Sequence, residues 1–209
     1  MFQIRLHGRG GQGVVTAAEL LSIAAFIEGK HSQAFPSFGS ERMGAPVMAF
    51  CRFSDRPIRL REPVMTPNCL IIQDPTLLSQ ADLFAGLSLT GFVLINSHKN
   101  IDELPLQHLP AGFDRSHLCE VPATELALKH VKRPLPNAAL LGGFAALTGQ
   151  LKFESLKAAI MEKFPGAVGE ANSAAARAAY DTIAAALAGT SKTLAGATRH
   201  PTGKDVVHA

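Results

Sequence analysis

Six residues near the amino terminus have the types and the spacing of a loop that binds phosphate. They follow the strand-like run "FQIRLH" and precede the helix-like run "GVVTAAELLSIAAFIE". Glycines permit positive φ angles and the close approach of a ligand, and the unpaired N–H groups at the start of a helix favour an anion. We therefore predict an anion-binding loop formed by Gly8, Arg9, Gly10, Gly11, Gln12 and Gly13.

The same six letters fit G-x-G-x-x-G, the pattern of dinucleotide-binding loops. Such a site also needs an acidic side chain at the end of the second strand, about 20 residues further on, to accept the ribose hydroxyls. Here that segment is "KHSQAFPSFGS", with Glu28 before it and Glu41 after it. A Walker A loop is excluded because no Gly-Lys-Ser/Thr follows the glycines. Three interpretations of the loop remain open. It can be an NAD or NADP site, a surface that binds phosphate or a partner, or a turn whose glycines merely permit close packing.

A second polar segment, "AFPSFGSERMGAPV" at residues 34–47, can present Ser37, Ser40 and Arg42 to an anion, although an ordinary connecting loop has the same composition. Residues 1–61 hold eight basic side chains, seven of them Arg, against four acidic ones; the rest of the chain holds 12 basic and 13 acidic. Arginine suits forked contacts with phosphate or carboxylate, whereas the alternative is a solvated face with surface ion pairs. The net charge of +3 makes no case for nucleic acid.

Other residue types that carry chemistry are too scattered to form a site. Cys51, Cys69 and Cys119 are far apart and form no C-x-x-C, which excludes a local zinc or iron–sulfur site. His7, at a strand end, is predicted to be structural, and Asp74 before Pro75 is predicted to start a helix. Neither a signal peptide nor an apolar run near 18 residues is found. We therefore expect a cytoplasmic protein with no membrane contact.

Strand-like and helix-like runs alternate through about residue 130. Strands are predicted in "FQIRLH", "HSQAFPSF", "GAPVMAFCRFS", "NCLIIQDP", "GFVLINS" and "SHLCEVP". The third run is predicted to pair in a hairpin with "RPIRLREPV", and the continuous apolar fourth and fifth runs are typical of buried parallel strands. Helices are predicted in "GVVTAAELLSIAAFIE", in the short "TLLSQADLFA" and in "ATELALKHV".

After Pro136 the pattern becomes helical, with "NAALLGGFAALTG", "FESLKAAIMEKF" and "GEANSAAARAAYDTIAAAL" as three helices and Asn137 as the N-cap of the first. We therefore predict an α/β fold: a mainly parallel, three-layer, Rossmann-like sheet with a β-hairpin insertion and C-terminal helices. One domain is expected over residues 1–189. Residues 190–209 are expected to form a C-terminal extension that is ordered only where a partner holds it.

Four segments, taken in order, resemble the gamma subunit of 2-oxoacid:ferredoxin oxidoreductases of the pyruvate synthase type. They are "LHGRGGQGVVTAAELL", "FPSFGSERMGAPVMAFCR", "QDPTLL" and "NAALLGGFAALTG", and the resemblance covers about residues 1–185. Many members carry a second Arg where this chain has Met43, so the resemblance assigns no anion contact to that position.

The resemblance implies an assembly that decarboxylates a 2-oxoacid on thiamine diphosphate, passes electrons through iron–sulfur clusters to ferredoxin or another acceptor, and transfers the acyl group to coenzyme A. This chain has no Gly-Asp-Gly for a magnesium–diphosphate site and too few cysteines for a cluster. These cofactors are therefore expected on the alpha, beta and ferredoxin-like delta subunits. The gamma chain would be accessory: it would bind no cofactor alone, contribute no catalytic residue and close the active site.

Coenzyme A remains a ligand that such a subunit can help to hold at its interface. Its phosphates suit the glycine loop together with Ser37, Ser40 and Arg42. A self-sufficient NAD- or NADP-binding oxidoreductase and a purely structural scaffold are the alternative functions. The 2-oxoacid is not specified by this chain, because the thiamine-binding subunits would select it.

Overall fold

The computed structural model describes residues 1–37 and 43–197, the side chains of 81–82 and 190–197 excepted. Within these residues the strands are β1 Phe2–Arg9, β2 His31–Pro36, β3 Pro46–Ser54, β4 Cys69–Ile72, β5 Phe92–Asn96 and β6 Leu118–Val121. The α-helices are α1 Val14–Ile27, α2 Ala123–His130, α3 Asn137–Thr148, α4 Phe153–Lys163 and α5 Ala167–Ala197. The six strands form one sheet in the order β2-β3-β1-β4-β5-β6.

Four of these strands, β1, β4, β5 and β6, run parallel, and β3 runs antiparallel between β1 and β2. Leu6 of β1 pairs with Ala49 of β3 on one side and with Ile71 of β4 on the other. Every residue of β4 is buried, which explains its continuous apolar run. The prediction of a mainly parallel α/β sheet is confirmed.

One face of the sheet is covered by the α-helices. Leu6, Ile71 and Leu94 belong to a core that also contains Leu21 of α1 and Phe144 of α3. Since successive strand residues point to opposite faces, the residues between them face the other way. The helices therefore lie over the face to which these side chains point. Helix α1 begins directly after the glycine loop that follows β1.

The opposite face carries a second, smaller core. Ile72 and Ile95 pack there with Leu78 and with other apolar residues of the connection between β4 and β6. This layer contains 3₁₀ turns at Pro75–Ser79 and Ala81–Phe84, where the sequence predicted one α-helix, so the predicted helix type is wrong. The cause is local: Gln80, between the turns, has an extended backbone with φ −83° and ψ 126°.

The predicted hairpin between β3 and "RPIRLREPV" is also wrong. Both edges of β3 are occupied, by β1 and by β2. Pro57 and Pro63 cannot donate to a strand ladder, and residues 57–61 form neither a helix nor a strand. The buried Arg52 holds this segment by donating from Nη2 to the carbonyls of Glu62 (2.7 Å) and Pro63 (3.2 Å). The antiparallel pair of consecutive strands in this fold is β2–β3.

The predicted C-terminal helices are confirmed as α3, α4 and α5. Gly142 allows α3 to lie against α5, because a Cβ at this position would overlap the carbonyl of Ala176. Asn137 is the first residue of α3 and not its N-cap, which is Pro136. Helix α5 continues through the predicted boundary at residue 189 to Ala197; the boundary stays a prediction, and residues 198–209 lie outside the described part of the chain.

Candidate functional site

The glycine loop leaves β1 at its carboxyl end and turns sharply into α1. Gly10 N donates to Ala45 O at 2.9 Å, and Gly44 N donates to Gly10 O at 3.1 Å, so the segment that enters β3 lies against the loop. Gly11 has φ 92° and Gly13 has φ 74°, in the left-handed region that favours glycine. The predicted strand–glycine turn–helix unit is thus present at the ligand edge of the sheet.

The first turn of α1 presents backbone donors that no described residue pairs. Gly13 is the N-cap and has no side chain that can accept from them. The first backbone bond of the helix is from Ala17 N to Gly13 O at 2.9 Å. Within the described residues, the N–H groups of Val14, Val15 and Thr16 make no hydrogen bond. Together with the helix dipole, these groups attract an anion.

A cavity of about 310 Å³ lies at this helix start. Its lining residues are Arg9, Gly10, Gly11, Gly13, Val14, Val15, Thr16 and Val47. Arg9 is the one charged side chain among them, so the cavity combines a cation with the helix terminus. We call this cavity the glycine cavity.

Close packing explains part of the glycine pattern without a ligand. A Cβ at Gly8 would lie 2.6 Å from Val14 Cγ2 and 3.2 Å from Gln73 Cβ. A Cβ at Gly13 would lie 2.6 Å from Asn137 Nδ2, so α3 also approaches this turn. Gly8 therefore serves strand–helix packing, and Gly13 serves both packing and the turn.

Arg9 is held in a network and is not a free cation. Its Nε donates to Asp74 Oδ2 (3.1 Å), its Nη1 to Gly44 O (3.1 Å) and its Nη2 to Thr76 Oγ1 (2.8 Å). Gln12 joins the network, because its Oε1 accepts from Arg9 N (2.8 Å) and its Nε2 donates to Asp74 Oδ2 (3.0 Å). A guanidinium carries five N–H donors, so two of them bond to no described residue.

Asp74 is the carboxylate around which this network is built. Burial raises its pKa, but the hydrogen bonds from Thr76 and Gln12 and the charge of Arg9 outweigh that effect and lower the pKa overall. Its Oδ1 accepts from Thr76 N at 3.0 Å, which starts the 3₁₀ turn as predicted. No local pattern indicates its pairing with Arg9, which is 65 residues away along the chain.

Of the three residues predicted to bind an anion in the second polar segment, the structure describes Ser37. Ser37 N donates to Met48 O at 2.8 Å, next to the end of β2. Ser40 and Arg42 lie outside the described residues. Met43, which is 86% exposed, forms a bridge with Gly10. The contribution of Ser37, Ser40 and Arg42 to an anion site stays a prediction.

A second cavity, of about 440 Å³, opens at the carboxyl ends of β4, β5 and β6, and we call it the strand-end cleft. Gln73 and Asn96 line it where β4 and β5 end. Asn96 Nδ2 donates to Gln73 O (2.9 Å) and to Thr124 Oγ1 (2.7 Å). Sequence reasoning missed this cleft, although polar residues directly after two buried parallel strands ("QD" and "NS") were a usable signal.

The remaining candidates have structural surroundings. His7 is buried and accepts from Arg5 Nε at 3.0 Å, and burial together with the Arg5 charge lowers its pKa to about 3. Burial raises the thiol pKa of Cys51 and Cys69, and that of Cys119 to about 11. Among the described residues, no group of three His, Cys, Asp or Glu side chains is placed to hold a metal ion.

Comparison with known proteins agrees with this fold along most of its length. The model of a family described as pyruvate ferredoxin/flavodoxin oxidoreductase matches residues 3–182. The chain is 46% identical to the pyruvate/ketoisovalerate oxidoreductases common subunit gamma of Pyrococcus abyssi, over 87% of this chain and 96% of that one. It is 45% identical to pyruvate synthase subunit PorC of Methanothermobacter marburgensis, over 88% and 98%. The solved pyruvate oxidoreductase subunit PORC of Thermotoga maritima is similar at a TM-score of 0.72 and 36% identity, over 86% and 95%.

Proposed function

The chain belongs to the pyruvate ferredoxin/flavodoxin oxidoreductase family, and we propose that it acts as the gamma subunit of a thiamine-diphosphate-dependent 2-oxoacid:acceptor oxidoreductase. In this proposal, alpha, beta and ferredoxin-like delta subunits are its partners. Thiamine diphosphate, magnesium and iron–sulfur clusters on those partners supply decarboxylation and electron transfer. The similarity to subunits of pyruvate/ketoisovalerate oxidoreductases and of pyruvate synthase supports this assignment.

The role of this chain is accessory, since its described residues offer no catalytic set. His7 is buried, its Nε2 already accepts from Arg5, and a pKa of about 3 makes it a weak base that is poorly suited to proton abstraction near neutral pH. The raised pKa values of the cysteine thiols leave them protonated. We propose that the subunit closes the active site and binds the phosphate-bearing part of coenzyme A.

The observation that carries the coenzyme A proposal is the glycine cavity. Val14, Val15 and Thr16, whose N–H groups bond to no described residue, line this cavity together with Arg9, two of whose donors are unused by the described residues. Backbone donors at a helix start and a guanidinium are the groups that hold phosphate in proteins. These residues thus fit the diphosphate of coenzyme A, and Ser37, Ser40 and Arg42 are proposed to complete the site.

The scaffold alternative is favoured by a specific observation, the tight packing at Gly8 and Gly13. It predicts that loop variants change assembly and leave the KM for coenzyme A unchanged. A self-sufficient NAD- or NADP-binding function is opposed by the sheet order, since β3 separates β2 from β1. No helix in the described part of the chain is long and apolar enough to span a bilayer; a cytoplasmic location is part of the proposal.

Purification of the full chain without partners tests the accessory role. We expect no 2-oxoacid oxidation, no bound thiamine diphosphate and no iron, measured by activity assay, fluorescence after thiochrome conversion and metal analysis. Bound thiamine diphosphate or iron would overturn the accessory role. In the reconstituted complex, Arg42→Ala is expected to raise the KM for coenzyme A more than the KM for the 2-oxoacid. A KM for coenzyme A that stays at the wild-type value would remove Arg42 from the site.

A further inference from the structure

The strand-end cleft lies on the other side of the Arg9 network from the glycine cavity. Gln12, Asp74 and Thr76 line the cleft, whereas Arg9, which donates to Asp74 and Thr76, lines the glycine cavity. The two cavities therefore share one wall. At about 440 Å³ the cleft has the volume of a small-molecule site, and it occupies the sheet edge where parallel α/β folds bind ligands.

Gln73 is the unusual residue of this cleft. It is 0% exposed, and both polar atoms of its side chain, Oε1 and Nε2, lack a hydrogen-bond partner within the described residues. Its backbone is fully engaged, with N donating to His7 O at 2.7 Å and O accepting from Asn96 Nδ2 at 2.9 Å. A buried amide without partners costs stability compared with an apolar side chain of similar size. Folding alone therefore does not explain a glutamine at this position.

The charges of the cleft indicate what kind of group fits. The carboxylate of Asp74 is paired with Arg9. The carboxylates of Glu103 and Glu125 then line the cleft against one ammonium group, that of Lys99. A phosphate entering the cleft would meet this excess of negative charge, whereas the glycine cavity offers Arg9 and a helix start. A neutral polar group is compatible with the cleft, and its hydrogen bonds can satisfy a primary amide.

We propose that the strand-end cleft binds a neutral group that presents a hydrogen-bond donor and an acceptor side by side, which pair with Oε1 and Nε2 of Gln73. This inference rests on the proposed function: two parts of coenzyme A, the adenine edge and the pantetheine amides, have this chemistry, while its phosphates occupy the glycine cavity. Because the amide of Gln73 is buried, this proposal requires its side chain to turn toward the cleft when the group binds.

The test compares Gln73→Met with a matched control, Gln107→Met, at an exposed glutamine that lines neither cavity. Methionine keeps the length of the side chain and removes both hydrogen-bonding atoms. In the reconstituted complex, Gln73→Met is expected to raise the KM for coenzyme A about tenfold, the effect of about two net hydrogen bonds. The Tm of the same variant is expected to rise by roughly 2–4 °C, because an unsatisfied amide has been removed. The control is expected to change neither quantity.

Adenosine and pantetheine, titrated separately into the full chain and followed by calorimetry, distinguish the two sources of the group. Binding of either one that weakens in Gln73→Met supports the cleft and identifies its occupant. An unchanged KM for coenzyme A, or a lower Tm that shows a structural partner for Gln73, overturns the inference. If Arg9→Ala raises the KM and Gln73→Met does not, the cleft assignment alone fails. If neither variant raises it, the coenzyme A role fails as well.

Discussion

Replacement of Arg9 by alanine removes the side chain that joins β1 to the turn after β4. The wild-type side chain makes three hydrogen bonds of 2.8–3.1 Å, and its ion pair with Asp74 joins side chains that are 32% and 11% exposed. A hydrogen bond to a charged group contributes about 1.5–3 kcal/mol when buried, whereas an exposed ion pair contributes about 0.2–1 kcal/mol. This pair lies between those limits, so we expect Arg9→Ala to lower the free energy of unfolding by about 1–2 kcal/mol.

The expected loss is moderate because Asp74 keeps other donors. Gln12 Nε2, Thr76 N and Thr76 Oγ1 still donate to its carboxylate when Arg9 is absent. The carboxylate is then not left buried and unsatisfied, which would cost about 3–5 kcal/mol. Thermal unfolding should therefore show a Tm lowered by roughly 2–8 °C, given about 2–4 °C per kcal/mol for a chain of this size.

A double-mutant cycle with Asp74→Asn measures the pair itself. Urea unfolding of the wild type, both single variants and the double variant should give a coupling energy of about 0.5–2 kcal/mol between Arg9 and Asp74. Arg59→Ala is the matched control, because Arg59 is exposed and lines neither cavity; its effect should stay within about 0.5 kcal/mol. A coupling energy near zero would refute the view that this ion pair holds the wall between the two cavities.

The same variant tests the function of the glycine cavity. If the two unused N–H donors of Arg9 contact phosphate, loss of one charge-assisted contact of about 1.4 kcal/mol raises the KM for coenzyme A about tenfold. The KM for the 2-oxoacid should not change, and Arg59→Ala should leave both KM values unchanged. A normal KM for coenzyme A in Arg9→Ala would exclude this side chain from ligand binding and leave it a structural role.

Three further predictions follow from the geometry. The folded-state pKa of Asp74 is lowered, so its stabilisation is present above the unfolded pKa of about 3.9 and is lost as the pH falls through the folded pKa; Asp74→Asn should flatten the pH dependence of urea unfolding in this acidic range. Gly142→Ala should be less stable in urea than the matched Gly143→Ala by about 1–3 kcal/mol. A Cβ at residue 142 would overlap the backbone of α5, whereas a Cβ at residue 143 would meet first the Leu94 side chain, at 3.2 Å. Equal stabilities of the two variants would contradict this packing. Calorimetry of the full chain should show no micromolar binding of NAD or NADP, and micromolar binding would favour the alternative function.

The parts of the fold that local patterns determine were predictable. The apolar runs of β4 and β5, the helical periods after residue 136 and the glycines after β1 each specify an element within a short window. The partner of β3 was not predictable in this way, since its alternation fits any neighbouring strand. Its neighbours are β1 and β2. The prolines at 57 and 63 were a local indication against the predicted hairpin, because proline cannot donate to a strand ladder.

The candidate site was predictable only where its residues are consecutive. Arg9 and Asp74 were each noted, but their ion pair depends on β4 lying next to β1, which no local pattern specifies. Asn137 was noted as a helix cap; in the fold it lies against Gly13, so two separate motifs meet at one turn. The orphaned amide of Gln73 becomes visible only when the burial of its surroundings is known.

The position of β3 decides which ligands the glycine loop can hold. A dinucleotide site needs an acid at the end of the strand that follows the first helix, and that strand must lie next to β1. Here β2 is two strands away, about 10 Å at the usual strand spacing. Among the described residues, the acid that bonds to the loop is Asp74, and each of its two oxygens already accepts two hydrogen bonds, from Arg9, Gln12 and Thr76. A carboxylate has about four acceptor positions, so Asp74 has none left for a ribose hydroxyl. This geometry supports the proposal that the loop binds phosphate and opposes the nicotinamide dinucleotide alternative.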